Sequence, residues 1–353
     1  MRFAPAPEYH VFPTQDRPLK PYDAVVRATG ETLELVRAVD PAVVVADILT
    51  LAPALAGELA GLPVATLIPH VDPRPSPGFA PYSLGARLPR TALGRAAWSA
   101  LDPLVGRGLD LGRRELDETR RRLGLEPSGR VHGGISQQLA IVATFPQLEY
   151  PRAVQEPNTH IVGPLLWEPA FGDVDLPPGD GPLVLVAPST AQDARHDLLR
   201  ATLEGLGAMP GVRVLATWNR RPLDLGDGPW TVAANTRLVE WVSYARTMPC
   251  CDVVVCHGGH GTLVRALASG CAVVVAPAAG DMNENAARLD WAGAGVRIPR
   301  RLVGPRSVRL AVERALSEPD LRASAQALAD WAARSDPAGR AAALVERLGR
   351  TPR

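Results

Sequence analysis

Val253–Gly270, VVVCHGGHGTLVRALASG, opens with four consecutive apolar residues, Val253, Val254, Val255 and Cys256. Such a run fits a strand buried on both faces. His257, Gly258, Gly259, His260 and Gly261 then break strand and helix periodicity alike. From Thr262 the apolar residues Leu263, Val264, Ala266, Leu267 and Ala268 return at helical spacing, and Gly270 ends the run. A second buried strand, AVVVAP, follows at Ala272–Pro277. Strand, glycine turn and helix start together predict an anion site. Backbone N–H groups point out of the turn, and the helix dipole favours negative charge there. A nucleotide diphosphate is the commonest occupant; an ordinary strand-to-helix turn without ligand is the plain alternative.

The same alternation extends in both directions. Val43–Asp47 (VVVAD), Pro63–His70 (PVATLIPH), Leu139–Thr144 and His160–Pro164 read as strands upstream, with helices over Tyr22–Val39, Leu49–Leu59 and Thr91–Leu123. Val71–Pro89 is rich in Pro and Gly and reads as a long surface loop. Leu165–Pro182 is the clearest linker. After it come LVLVAPST (Leu183–Thr190), a helix to about Gly207, VRVLAT (Val212–Thr217), TVAA (Thr231–Ala234), LVEWV (Leu238–Val242) and GVRIP (Gly295–Pro299). Helices over Arg306–Leu348, interrupted near Asp336–Pro337, close the chain. The pattern predicts an α/β protein of two doubly wound domains facing a cleft, where ligands of open α/β sheets bind.

Composition agrees. The 353 residues suit two domains, and 46% apolar with 21% charged residues is ordinary for a soluble globular chain. A net charge of +1 argues against nucleic acid or an anionic membrane as partner. Lys20 is the only lysine; Arg supplies the other cations, which with abundant Ala, Gly and Pro reflects a GC-rich coding sequence. Cys250, Cys251, Cys256 and Cys271 show no CxxC or Cys/His ligand spacing, so no metal site is expected. No signal peptide or membrane-length apolar run is visible, and a reduced, cytoplasmic protein, monomer or homodimer, is the expectation.

With Trp241 upstream, CHGGHGT at Cys256–Thr262, SGCAVVVAP at Ser269–Pro277 and GDMNENA at Gly280–Ala286, the chain resembles the nucleotide-binding domain of the UDP-glycosyltransferase superfamily. The variant is similar to actinobacterial enzymes that glycosylate natural products. VVVADILTLAPALAGELAGLPVATLIP, Val43–Pro69, resembles the family's first domain more loosely. The resemblance implies the glycosyltransferase B fold, two Rossmann-like domains. Residues 1–164 would bind an acceptor, 165–182 link, and 183–353 hold a nucleotide-sugar donor.

It also implies roles. Trp241, next to Val242, would stack on the nucleotide base. His257 would contact the departing diphosphate, with Gly258, Gly259, Gly261 and Thr262 lending N–H groups and a hydroxyl. Ser189 and Thr190 would reach the same diphosphate from the opposite side, or simply cap a helix. Asp281 would bind sugar hydroxyls and also suits a helix N-cap. Asn285 falls at a family Asn. Met282 stands where many members have Gln, which hints at a less polar sugar, and Arg265 stands where many plant members have a ribose-binding Glu. His260 and the His132-Gly133-Gly134 repeat carry no assigned role.

The implied reaction is inverting transfer of the sugar to a hydroxyl of a hydrophobic small-molecule acceptor, with no cofactor beyond the donor. Val71–Pro89 and the helix near Trp98 would hold that acceptor. A general base is needed. Asp47 falls at the family's base-partner Asp, yet the Gly-His loop that carries the base has no match. About one βαβ unit therefore looks absent at the start, and His10 and His70 are the nearby histidines. An inert nucleotide-sugar-binding auxiliary protein is the alternative, and a nucleotide-sugar epimerase a rival that would need more carboxylates.

Overall fold

The computed structural model describes residues 23–350 except 155, 170–171, 173, 190–192, 194, 208, 220–231 and 279. His10 lies outside the described residues.

The first half runs α1 (Asp23–Val39), β1 (Val44–Asp47), α2 (Leu51–Leu59), β2 (Val64–Ile68), α3 (Ala92–Ser99), α4 (Asp102–Arg122), β3 (Leu139–Val142) and β4 (Thr159–Ile161). Its four strands pair in the order β1-β2-β3-β4, all parallel. The second half runs β5 (Leu183–Ala187), α5 (Asp197–Gly207), β6 (Arg213–Thr217), β7 (Thr236–Val239), α6 (Tyr244–Thr247), β8 (Val253–Cys256), α7 (His260–Ala268), β9 (Ala272–Val275), α8 (Asp281–Ala292) and β10 (Gly295–Arg297). Then come α9 (Pro305–Ser317), α10 (Pro319–Arg334) and α11 (Pro337–Gly349). The second sheet is parallel in the order β10-β9-β8-β5-β6-β7. These are two parallel-sheet α/β domains.

The apolar runs become strands because helices cover both sheet faces. Every residue of β5, β8 and β9 is buried. Their side chains divide between two core clusters, Leu185, Val254 and Val273 on one side and Val186, Val255 and Val274 on the other. The chain steps from β5 outward to β6 and β7, then returns to β8 on the other side of β5. That reversal leaves a crevice beyond the strand ends.

Several boundaries differ from the sequence expectation. The helix after the glycine turn begins at His260 rather than Thr262. Of the strand expected at Thr231–Ala234, Thr231 lies outside the described residues and Val232–Ala234 is not strand; the strand observed is Thr236–Val239, an edge strand with partly exposed residues, where Thr236 and Arg237 mask the apolar pattern. The helix expected over Thr91–Leu123 divides between Ser99 and Asp102. Pro319 breaks the last helical region a second time, after Glu318.

The halves are joined by more than the linker. Helix α11, last in the chain, packs Ala341, Leu344, Val345 and Leu348 against Ala65, Leu139 and Ile141 of the first sheet. Arg288 on α8 is 2% exposed and reaches into the first half. It donates to the Leu148 carbonyl (3.2 Å) and to Glu149 (3.3 Å), pairs with Glu284 (2.8 Å), and lies 3.6 Å over the Tyr150 ring. Among the described residues β1 is an edge strand, with Val45 exposed.

Candidate active site

A cleft of about 620 Å³ opens between the carboxyl ends of the two sheets. Leu67, Pro69 and Ala143 contribute from the first half, and Ser189, Trp241, His257 and Gly259–Thr262 from the second. It lies at the β5/β8 reversal, where the sheet topology leaves a crevice.

The glycines of the turn have separate reasons. Gly258 has φ +80°, and a Cβ there would lie 2.6 Å from Val275 Cγ2. Only glycine fits. Gly259 and Gly261 have nothing within 4 Å of where a Cβ would stand. Gly259 is the N-cap of α7, and no side chain caps that helix. The first-turn N–H groups of α7 therefore meet open space, which is the arrangement an anion completes.

His257 is buried at the head of the turn. Its Nδ1 accepts the Ser189 N–H at 2.9 Å, and its Nε2 lies 3.4 Å from Asp193 Oδ2. An amide N–H can only donate, so Nδ1 is unprotonated and Nε2 carries the hydrogen toward the carboxylate. Both nitrogens are thus engaged within the protein. Asp193 also accepts the N–H groups of Asp197 (2.9 Å) and Leu198 (3.3 Å), capping α5. Burial raises its pKa, but the His257 contact and these N–H groups outweigh it and hold the carboxyl below the ordinary range. Thr190 lies outside the described residues.

On α8, Asp281 and Met282 open the helix behind Gly280. Burial raises the Asp281 pKa above the ordinary value, although His70 and the Asn285 amide pull it back. Asn285 is 1% exposed and donates to the Gly258 carbonyl at 2.9 Å. It braces the glycine turn. Met282 lines the cleft. Trp241 does too, with Tyr244 stacked on it at 6.2 Å and 18°. The Val242 side chain is fully buried in the core and does not line the cleft.

From the first half, His70 follows β2. Its Nδ1 lies 2.7 Å from the Val71 carbonyl and 3.3 Å from Tyr82 Oη. A carbonyl only accepts, so Nδ1 carries a hydrogen, and in the neutral ring the lone pair lies on Nε2. Burial, with Asp281 and Glu284 adding to it, raises the Tyr82 phenol well above its usual range. Asp47 behaves differently. Its Oδ1 accepts the Leu49 N–H at 2.7 Å, an Asx turn leading into α2. Asp47, His70 and Asp281 all stand outside the lining of the cleft itself.

Two features escaped the sequence reading. His260 is buried, with Nε2 3.4 Å from the Ala143 carbonyl across the cleft and Nδ1 without a partner. Burial, reinforced by nearby His70, pushes its pKa down to about 4. The second is the Arg288 cluster; the spacing of Glu284 and Arg288, four apart on one helix, was its only local signal. Among the described residues no group of His, Cys, Asp and Glu could hold a metal ion, and no helix is long and apolar enough to cross a membrane.

Residues 214–347 match the family described as erythromycin biosynthesis protein CIII-like, C-terminal domain. The 4'-demethylrebeccamycin synthase of Lentzea aerocolonigenes is 34% identical over 305 residues, covering 82% of this chain and 70% of that protein. UDP-glycosyltransferase 2 of Phaeomoniella chlamydospora is 27% identical, over 75% of this chain and 62% of its own length. Tylactone mycaminosyltransferase of Streptomyces fradiae is 37% identical over 156 residues, 44% of this chain and 32% of that protein. Among solved structures, the glycotransferase of kitacinnamycin superposes with a TM-score of 0.72 at 23% identity, over 96% of this chain and 86% of its own. The glycosyltransferase VinC in complex with dTDP gives 0.63 at 18% identity, over 94% and 80%. The fold they share is the glycosyltransferase B fold.

Proposed function

The chain belongs to the family of natural-product glycosyltransferases that includes 4'-demethylrebeccamycin synthase, and on that premise we propose that it moves a sugar from a nucleoside diphosphate to a hydroxyl of a hydrophobic small molecule, with inversion. The observation that carries this is the empty space over Gly259 and Gly261, set against an uncapped helix start in a cleft between two sheets. The diphosphate would sit there and be stabilised as its negative charge grows. Ser189, Gly258 and Thr262 shape the seat, and His257 fixes the Ser189 backbone opposite the turn. The base would stack on Trp241. Asp281 would take sugar hydroxyls, and Met282 beside it favours a sugar with fewer of them. No cofactor beyond the donor enters this reading.

His70 is the base in this reading. Its Nε2 lone pair comes from the first half, and its ring acts on the Asp281 carboxyl. It would take the acceptor's proton as the hydroxyl attacks the anomeric carbon from the face opposite the leaving diphosphate. Asp47, turned into its own backbone, is not its partner; Tyr82 and the Val71 carbonyl orient the ring. The acceptor would enter along Val71–Pro89, where Phe79, Tyr82 and Tyr150 line a cavity of about 260 Å³.

The test is turnover and nucleotide affinity together. His70→Gln should lower kcat by about a hundredfold or more while leaving the Kd for UDP and dTDP unchanged. Undiminished turnover would remove His70 from the mechanism. Nucleotide binding without turnover, across a panel of nucleotide sugars and aromatic or macrolide acceptors, would instead favour an inert binding protein.

A further inference from the structure

We propose that Arg297, on β10 of the second half, is a positioning residue for the acceptor side: it holds the turn that carries Tyr82, and through Tyr82 it sets the His70 ring. The proposal rests on the reading of His70 as the base. Pro81-Tyr82-Ser83-Leu84-Gly85 lies within the Pro- and Gly-rich stretch Val71–Pro89. The Leu84 N–H donates to the Pro81 carbonyl at 3.2 Å and closes a turn with Tyr82 and Ser83 at its centre. Ser83 has φ +69° and Gly85 φ +68°. Glycine takes that left-handed backbone freely. A serine keeps it only where the surroundings hold the chain.

Those surroundings belong to the second half. Arg297 Nη1 donates to the Gly85 carbonyl at 2.6 Å, a charge-assisted bond. A Cβ on Gly85 would lie 2.6 Å from the Asn283 carbonyl oxygen, so this backbone rests on the first turn of α8. Arg297 itself starts from a rigid strand: it pairs with Val275 in the sheet, between buried Val296 and Ile298. Arg87 also reaches α8, 2.7 Å from Asp290, but its side chain is 80% exposed and such a pair contributes little.

Tyr82 carries this order to His70. It packs against the core cluster that holds Val71, Val275 and Leu289, and its ring stands 6.0 Å from the imidazole at 37°. The His70 Nδ1 hydrogen is directed to the Val71 carbonyl at 2.7 Å, with Tyr82 Oη at 3.3 Å as a second acceptor. Val71, next in the chain, would move with His70; Tyr82 would not. The base of one half is thus aimed from the other, through a clasped turn.

Imidazole nitrogen NMR on the whole, isotopically labelled chain tests this at about pH 8, where an ordinary imidazole is neutral. The signals missing from His70→Gln are those of His70. Tyr82→Phe, which loses Oη, should shift them. Arg297→Met, which loses the donors, should shift them the same way, and adding it to Tyr82→Phe should shift them no further. Arg297→Lys keeps a donor and should stay near the unaltered chain. Melting curves verify the fold, and Arg297→Gln gives a second variant without the guanidinium. With the nucleotide sugars and acceptors named above, kcat of Arg297→Met should fall about tenfold at an unchanged Kd for UDP. His70 signals or kcat left unmoved by Arg297→Met overturn this inference alone. Undiminished turnover by His70→Gln, or none by the unaltered chain, overturns it together with the reading of His70 as base.

Discussion

His257 Nδ1 accepts the N–H of Ser189 across 2.9 Å, tying the end of β8 to the end of β5. The bond sets the ring's tautomer, and Asp193 reads the hydrogen on the far nitrogen. Asp193→Asn should break the arrangement although it is nearly isosteric. Either orientation of the new amide aims a donor at a donor, the His257 Nε2–H and Leu198 N–H at one position or the Asp197 N–H at the other. A loss of roughly 1–3 kcal/mol in chemical denaturation is expected, with several-fold weaker UDP binding. A neutral outcome in both would mean the tautomer is not fixed this way.

The glycines of the turn should separate stability from binding. Gly258→Ala meets both a positive φ and Val275, and should destabilise by about 2–4 kcal/mol. Gly261→Ala sits in the first turn of α7 over open space, so the fold should tolerate it or gain up to about 1 kcal/mol of helix propensity. Its methyl would occupy the diphosphate's place, and nucleotide affinity should fall. Thermal melting and calorimetry on the two variants give the comparison.

Lowering the pH should expose His260. The unfolded ring takes a proton near its ordinary pKa of about 6.5, while the folded ring resists until about 4. Between those values the unfolded chain binds the proton that the native state does not. Stability is therefore complete above the upper value and falls as pH drops through the window. The loss amounts to roughly 2–3 kcal/mol. Denaturation midpoints at pH 7 and 4.5 should converge in His260→Gln relative to the unaltered protein, after allowance for its other titrating groups.

Arg288→Met should cost about 3–5 kcal/mol, because it leaves Glu149 and Glu284 buried without their cation. Adding Glu149→Gln and Glu284→Gln should return part of that. Urea denaturation of the single and triple variants measures the recovery, and no recovery would mean that the packing of Arg288 on Tyr150 dominates.

The second sheet was legible in the sequence because β5, β8 and β9 are buried on both faces and so carry uninterrupted apolar runs. The glycine turn was legible because its residues are adjacent in the chain. β7 was misplaced because an edge strand can hold Thr236 and Arg237 without cost, and the period-two signal fades. The partners of His257 and the depth of His260 depend on segments far apart in sequence. His260 is deep because Ala143, on the other sheet, lies over it; nothing in CHGGHGT foretells that. Asn285 donates to the Gly258 carbonyl and so braces the turn, which its place in GDMNENA does not reveal.

Helix α11 covers Leu139 and Ile141 of the first sheet, and this sets a timetable for synthesis. As the chain leaves the ribosome, the first half emerges with that apolar face bare, and the segment that will cover it follows only after every strand of the second sheet. The first half must wait in a partly folded, sticky condition while the second, able to pack its own strands, settles ahead of it. Removing α11 would thus injure the half of the molecule farthest from it in sequence, and chaperone demand during expression should track the integrity of the final helix.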